Sequence, residues 1–278
     1  MEKIKCPICS SSNFKHFKNL KDRFEITNDI FLLVKCECDF VYLNPRPNQS
    51  EISKYYKHNQ YHSHFSVNFL YKLMQFFSFR WKYNIIKKHL NFKFTSILDY
   101  GSGKGEFSNF LTNKDYQVDN YEPLLKNEKY FSDHKFLTKK YQLITLWHSL
   151  EHIHDINESL NLIYNKLESK GRLFIAVPNL NAVEKKYFDI KWAPYDAPRH
   201  LYHFTSKTLS VLLNKHNFKI IEEKNMYQDT IYNIYLSLSF KNPFSFIVFI
   251  YLSFICLIKS IFFNKNSSSS KLYICVKK

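Results

Sequence analysis

Ser96-Ile97-Leu98-Asp99-Tyr100-Gly101-Ser102-Gly103-Lys104-Gly105-Glu106-Phe107 is the stretch whose reading decides the fold. The chain holds only four glycines, and three of them stand here, at positions 101, 103 and 105. Glycine lacks a Cβ and tolerates positive φ, so this clustering marks a backbone that turns tightly and lies close to something else. Ser96-Ile97-Leu98 is a short apolar strand signal, and Phe107, Phe110 and Leu111 keep helical spacing behind it. Strand, glycine loop and helix in that order aim backbone N–H groups and a helix N-terminus at a ligand. The dinucleotide fingerprint G-x-G-x-x-G fails at position 106, which is Glu, and the P-loop fails for want of Gly-Lys-Ser/Thr.

The pattern that does stand, D-x-G-x-G-x-G from Asp99 to Gly105, resembles motif I of the class I S-adenosylmethionine (SAM) methyltransferases. A second anchor is expected about twenty residues on, where nucleotide folds place a ribose-binding acid. Tyr116 to Glu122 reads as a strand ending in Glu122, with Asp119 mid-strand and less well placed. The next apolar strand, Leu143 to Trp147, runs into His148-Ser149-Leu150-Glu151-His152-Ile153-His154-Asp155. His148 to His152 also spells H-x-x-E-H, an inverted zinc-protease signature whose chemistry needs both histidines on one helix face. Here they follow a strand directly. The resemblance implies SAM as cofactor, held by Asp99, Gly101, Ser102, Gly103, Gly105, Glu122, Trp147 and His148. It makes His148 and His152 catalytic candidates, with Glu151 either facing the acceptor or bracing the loop.

Asp155 to Leu167 has the stripe of an amphipathic helix (Ile156, Leu160, Ile163, Leu167), with Gly171 placed to end it. Arg172 to Asn179 then reads as a buried strand stopped by Pro178. Trp192 to Thr205 is aromatic, proline-broken and polar, and loops at the carboxyl ends of strands build α/β active sites. Its Pro198-Arg199-His200-Leu201 and Phe204-Thr205 resemble a stretch that covers the acceptor pocket in the same family. His200 is the candidate general base. Arg199, with a fork for carboxylate or phosphate, and Tyr195 and His203 are the substrate-side candidates. The alternative is that Arg199 and His200 only hold the loop. Ser206 reads as the cap of a helix carrying Leu209, Leu212 and Leu213; strands begin at Phe218 and Lys271.

Residues 1–47 read as a separate zinc-ribbon-like head. Cys6-Pro7-Ile8-Cys9 and Cys36-Glu37-Cys38 supply four thiolates in two pairs, the set tetrahedral zinc needs. The second pair is C-x-C and is followed by Asp39 where a glycine is usual. Either structural zinc or a ribbon that has lost its metal fits, and His16 is a substitute ligand. This head resembles that of bacterial methyltransferases of sugar and cell-surface pathways. Residues 50–92 read as helical. Tyr55, Tyr56 and Tyr61 are set either to cover the cofactor or to pack. Leu70, Leu73, Met74, Phe77, Trp81, Ile85 and Ile86 fall on one helix face.

With 45% hydrophobic residues the core can be large. The net charge of +16 is scattered, with no compact basic block, so no nucleic-acid partner is expected. The opening residues hold no apolar h-region, which points to a cytoplasmic, reducing compartment without disulfides. Asn242 to Ile258 holds no charged residue, and the apolar run resumes after Lys259 at Ile261-Phe262-Phe263. It is marginal for a spanning helix and suits one lying in a bilayer interface, or one packed inside the domain. Together these expectations give an α/β protein with a Rossmann-like seven-stranded sheet over residues 50–278 and a hydrophobic helical insert at 242–263. The resemblance implies SAM-dependent methyl transfer to a small-molecule acceptor, a sugar or lipid-linked glycan intermediate, peripheral to the inner membrane face. The competing readings are a catalytically idle SAM-binding scaffold and the H-x-x-E-H metallopeptidase.

Overall fold

A computed structural model of the protein describes residues 1–56, 69–90, 96–123, 131–133, 137–240, 242–264 and 266–278. Three strands open the chain: β1 (Phe14–Lys21), β2 (Ile30–Cys36) and β3 (Val41–Leu43). A long helix, α1 (Phe69–His89), leads into β4 (Ser96–Tyr100), the glycine loop and α2 (Glu106–Thr112). Then come β5 (Gln117–Tyr121), β6 (Tyr141–Trp147), α3 (Ile156–Lys166) and β7 (Leu167–Pro178). The chain ends with β8 (Tyr202–His203), α4 (Ser206–Lys215), β9 (Phe218–Met226), α5 (Tyr227–Ser237), α6 (Phe244–Ile258) and β10 (Ser270–Lys277).

The central sheet runs β5-β4-β6-β7-β10-β9. β4 pairs in parallel with β5 and β6, β6 with β7, and β10 lies antiparallel to both β7 and β9. The last strand is therefore antiparallel. The count differs: six strands stand among the described residues rather than seven. Beyond β5, the described residues show one parallel bridge, Tyr121 to Phe131.

Both faces are covered, which explains why the strands read as continuous apolar runs. Alternate residues point to opposite sides. Ile97, Leu143, Phe174, Ala176, Leu272 and Ile274 pack under α1 and α2 through Ile85, Ile86, Phe107 and Leu111. Leu98, Ile144, Leu173, Ile175, Tyr273 and Cys275 face Leu160 and Ile163 of α3 and Leu209 and Leu212 of α4. Two local readings change. Gly171 lies inside β7, at a register shift opposite Tyr141–Leu143, where a Cβ would meet Leu167 at 2.9 Å. The cap of α4 is Thr205, whose hydroxyl accepts from the Thr208 N–H in a reciprocal capping box.

The head is not a free-standing unit. β1, β2 and β3 form an antiparallel sheet whose fourth strand is β8, with Val41 opposite His203 and Tyr42 opposite Tyr202. Its core residues Leu33, Phe40 and Tyr42 belong to the same apolar cluster as β6 and β7. Arg46 locks the joint, donating to Tyr202 Oη (2.7 Å) and to the His154 carbonyl (3.1 Å).

Between β9 and β10, α6 continues through a π-turn to Phe263, an apolar helix of 20 residues long enough to cross a membrane. It packs on α5 by Leu252 and Cys256 against Ile234. Most of it is bare: Phe254 is 64% exposed, Phe262 72% and Phe263 81%. The insert is thus not a core helix.

Candidate active site

The glycine loop is built as its composition requires. Gly101, Gly103 and Gly105 all take positive φ (79°, 55° and 69°). At Gly101 a Cβ would lie 2.4 Å from Ser149 Cβ, because Ser149 is held there by its hydroxyl on the Tyr100 carbonyl (2.7 Å). At Gly103 no atom of the described residues beyond its chain neighbours lies within 4 Å of a Cβ position, so this side of the loop is open among them. Glu122 follows β5 directly, and its Oε2 accepts from the Gly103 N–H at 3.0 Å.

Loop and acid share a cavity of about 830 Å³. Gly101, Ser102, Gly103 and Glu122 form one side; Tyr56, Trp147, His148 and His152 form another. Ser102 Oγ and Trp147 Nε1 are buried on its walls without a hydrogen-bond partner among the described residues. Buried donors left open in this way point to a ligand that completes them. Asp99 has a different place. Its two oxygens accept from Ser108 (3.0 Å) and Thr145 (2.7 Å), tying α2 and β6 to β4, and burial pushes its carboxyl up. It lines a smaller cavity of about 160 Å³ beside the loop, with Lys82.

The three catalytic candidates part company. His148 sits at φ 54° just after β6, with Nε2 2.9 Å from Asp229 of α5 and Nδ1 3.5 Å from Glu151. Burial opposes its charge, but Asp229 and Glu151 overcome that and raise it to about 9. His148 is an imidazolium at neutral pH, a donor rather than a base. His152 lines the cavity; burial and His200 push it down to about 4, so it is neutral. His200 lies behind it, ring centroids 4.6 Å apart, and does not line the cavity.

The substrate-side candidates are corrected in the same way. Arg199 is fully buried: its guanidinium donates to Asp22 (2.8 Å) and Asp196 (2.7 Å) and covers the Phe24 ring. Its fork is occupied by the protein's own carboxylates. Tyr195 and His203 are buried beside each other, rings 5.5 Å apart, away from the cavity. The 192–205 loop instead braces the turn after β6, with Leu201 N–H donating to the Glu151 carbonyl (2.8 Å) and His152 Nδ1 to the Arg199 carbonyl (3.0 Å). The H-x-x-E-H reading also falls. His148 and His152 are separated by a single 3₁₀ turn, Leu150–His152, and His148 turns to Asp229 instead.

Of the aromatics before α1, Tyr56 reaches the wall and meets His152 Nδ1 at 3.0 Å, while Tyr55 packs on Phe31. Tyr61 lies outside the described residues, as do the side chains of Leu70, Leu73 and Met74. Two site residues were not foreseen. Asp229 carries no motif, and Lys82, stacked over Trp147 at 4.5 Å, reads in sequence as one of many lysines.

The head's four cysteines do converge. Cys6, Cys9, Cys36 and Cys38 offer sulfurs all within 4.8 Å of one another, with Cys6–Cys38 at 3.5 Å and Cys9–Cys36 at 3.4 Å. Metal–sulfur bonds of about 2.3 Å in a tetrahedron set sulfurs roughly 3.8 Å apart, so the donor set fits a tetrahedral metal. Ser10 and Asp39, each following a pair, take positive φ (62° and 69°). Asp39 does the work of the missing glycine. His16 is not among these donors; it bonds Asn19 at the surface.

Comparison with known proteins agrees with this geometry. A methyltransferase-domain family profile matches residues 56–223. No curated protein matches. Among solved structures, 1,6-didemethyltoxoflavin-N1-methyltransferase of Burkholderia thailandensis, with bound 1,6-didemethyltoxoflavin and S-adenosylhomocysteine, is similar over 89% of this chain and 96% of its own. Its TM-score is 0.53 and its identity 15%, a likeness of fold. A SAM-dependent methyltransferase from Archaeoglobus fulgidus is 16% identical, with TM-score 0.46, over 76% of this chain and all of its own. A family profile that covers more than half the chain, laid over this sheet and this loop, places the protein in the methyltransferase-domain family.

Proposed function

We propose that the protein transfers the methyl group of SAM to a small-molecule acceptor, a sugar or lipid-linked glycan intermediate, at a membrane surface. One observation carries the reading. The open face of the glycine loop at Gly103 and the Glu122 carboxylate look into one cavity with His148 and His152. Bound SAM supplies an electrophilic methyl group on a sulfonium centre. In this reading Glu122 exchanges its bond to the Gly103 N–H for ribose hydroxyls, and Ser102 Oγ and Trp147 Nε1 gain the acceptor atoms they lack. His148, held charged by Asp229 and Glu151, sets a positive charge beside an anionic group at the amino-acid end, while Tyr56 and His152 form the acceptor side. Much of the catalysis is then alignment of the acceptor lone pair with the methyl carbon. The bare face of α6 supports a membrane surface as the place of reaction. Since β9 and β10 pair directly, the helix between them lies along the surface rather than crossing it once. The four cysteines are read as a structural zinc site, for four protein donors leave no open position.

Calorimetric titration of SAM into the full chain tests the donor reading, with Gly103→Asp as control. Saturable binding is expected for the native chain. It is lost in the variant, whose carboxylate enters the open face beside Glu122. A folded native chain that takes up no SAM would overturn the reading.

A further inference from the structure

Glu151, His152 and His200 converge behind the cavity wall, which His152 lines. One oxygen of Glu151 and one nitrogen of each histidine lie within 4.8 Å of one another. Glu151 is wholly buried, yet neither of its oxygens accepts a hydrogen bond among the described residues; His148 Nδ1 stands 3.5 Å away. The histidines are each fixed by one nitrogen. His152 Nδ1 is 3.0 Å from the Arg199 carbonyl and His200 Nδ1 2.7 Å from the Pro194 carbonyl. A carbonyl oxygen only accepts, so His200 Nδ1 carries the hydrogen and its Nε2 presents a lone pair; at His152 the Tyr56 hydroxyl stands at the same 3.0 Å from Nδ1, and with the hydrogen on Nδ1 toward Arg199 its Nε2 does the same. One carboxylate and two imidazoles thus meet in a buried place, and the His148 imidazolium at 3.5 Å from one Glu151 oxygen leaves the carboxylate without a close hydrogen-bond donor. Histidine that binds a metal through one nitrogen and donates from the other to a backbone carbonyl has this arrangement.

We propose that Glu151, His152 and His200 bind a divalent transition-metal ion. Two imidazoles and one carboxylate suit zinc, iron(II) or manganese(II). Closing the set to bonds of roughly 2.0–2.2 Å takes side-chain shifts of about an ångström. Unlike the four-cysteine cluster, this site has three protein donors and leaves coordination positions open for an oxygen ligand. His152 lines the cavity, which brings such a ligand, water or an oxygen of the acceptor, to the acceptor side. The donors come from two distant stretches, the turn after β6 and the 192–205 loop, joined by the Leu201–Glu151 and His152–Arg199 bonds.

Cobalt(II) titration of the chelator-stripped full chain tests this, followed by absorption and calorimetry. Cobalt on thiolates gives an intense sulfur charge-transfer band; cobalt on nitrogen and oxygen gives weak d–d bands alone. The native chain is expected to bind one equivalent without sulfur charge transfer. Glu151→Gln and His200→Gln are expected to weaken that equivalent about 10–100-fold, leaving any charge-transfer band and the melting temperature in place. A native chain that binds cobalt only with sulfur charge transfer, or variants that keep the equivalent without sulfur charge transfer at native affinity, would overturn the proposal. The native titration decides even if a variant fails to fold. The readout is metal uptake, so its failure leaves the SAM reading standing, and failure to bind SAM leaves this site standing.

Discussion

Gly101 and Gly103 look alike in sequence and do different work. Gly101 has both positive φ and Ser149 at 2.4 Å from a Cβ; Gly103 has the φ alone. The left-handed conformation costs a residue with a Cβ roughly 1–2 kcal/mol, and forced overpacking about 1–3 kcal/mol more. In urea unfolding, Gly101→Ala should lose about 2–5 kcal/mol and Gly103→Ala about 1–2 kcal/mol. Equal losses would mean that Ser149 yields freely. Arg199 makes the opposite point. Its Pro-Arg-His context reads as a ligand fork, but Asp22 lies far back in the chain and no local pattern shows that the two meet. Arg199→Met leaves two carboxylates facing each other in a buried site, and removing one partner of a buried pair costs about 3–5 kcal/mol. That variant should lose stability of this order in thermal unfolding. A variant of native stability that had lost only acceptor affinity would restore Arg199 as a binding residue.

Elements were legible where periodicity and punctuation agreed. The β4–glycine–α2 unit, α3 and the strand beginning near Lys271 all stand close to where the sequence pattern put them. Gly171 misled because a glycine after a helix looks the same whether it ends the helix or makes room in a strand; only the Tyr141–Leu143 register separates the two. β8 was hidden because two residues, Tyr202 and His203, are too few to show a strand period. The insert was legible as apolar, but its exposure was not, since burial belongs to the packing of α5 and not to composition. Its test belongs to the same scale. Phe254→Glu with Phe262→Glu places two charges on the bare face, away from Leu252 and Cys256. In flotation assays with anionic lipid vesicles the native chain should float and the variant should not, both melting within a few degrees of each other. Flotation of the variant would remove α6 as the docking element.

Across the molecule, the head and the catalytic body share a sheet and an apolar cluster, so they should not melt apart. Removing the metal read into the four cysteines is therefore expected to act at a distance. Treatment with a strong zinc chelator should lower one cooperative transition for the whole chain and weaken SAM uptake, rather than add a separate early step. A biphasic melt with the SAM affinity unchanged would show that the head is an appendage after all. The sequence marked this head by its cysteines, and the boundary at residue 47 was drawn where the proline turn falls; the partner that completes it lies in a loop with no β signal. That topology also orders the protein's birth. During synthesis β1, β2 and β3 leave the ribosome well before the strand that closes their sheet, which emerges only after β4 to β7 have been made. Until then β3 has an unpaired edge, and every nascent chain carries an open template for pairing with its neighbours.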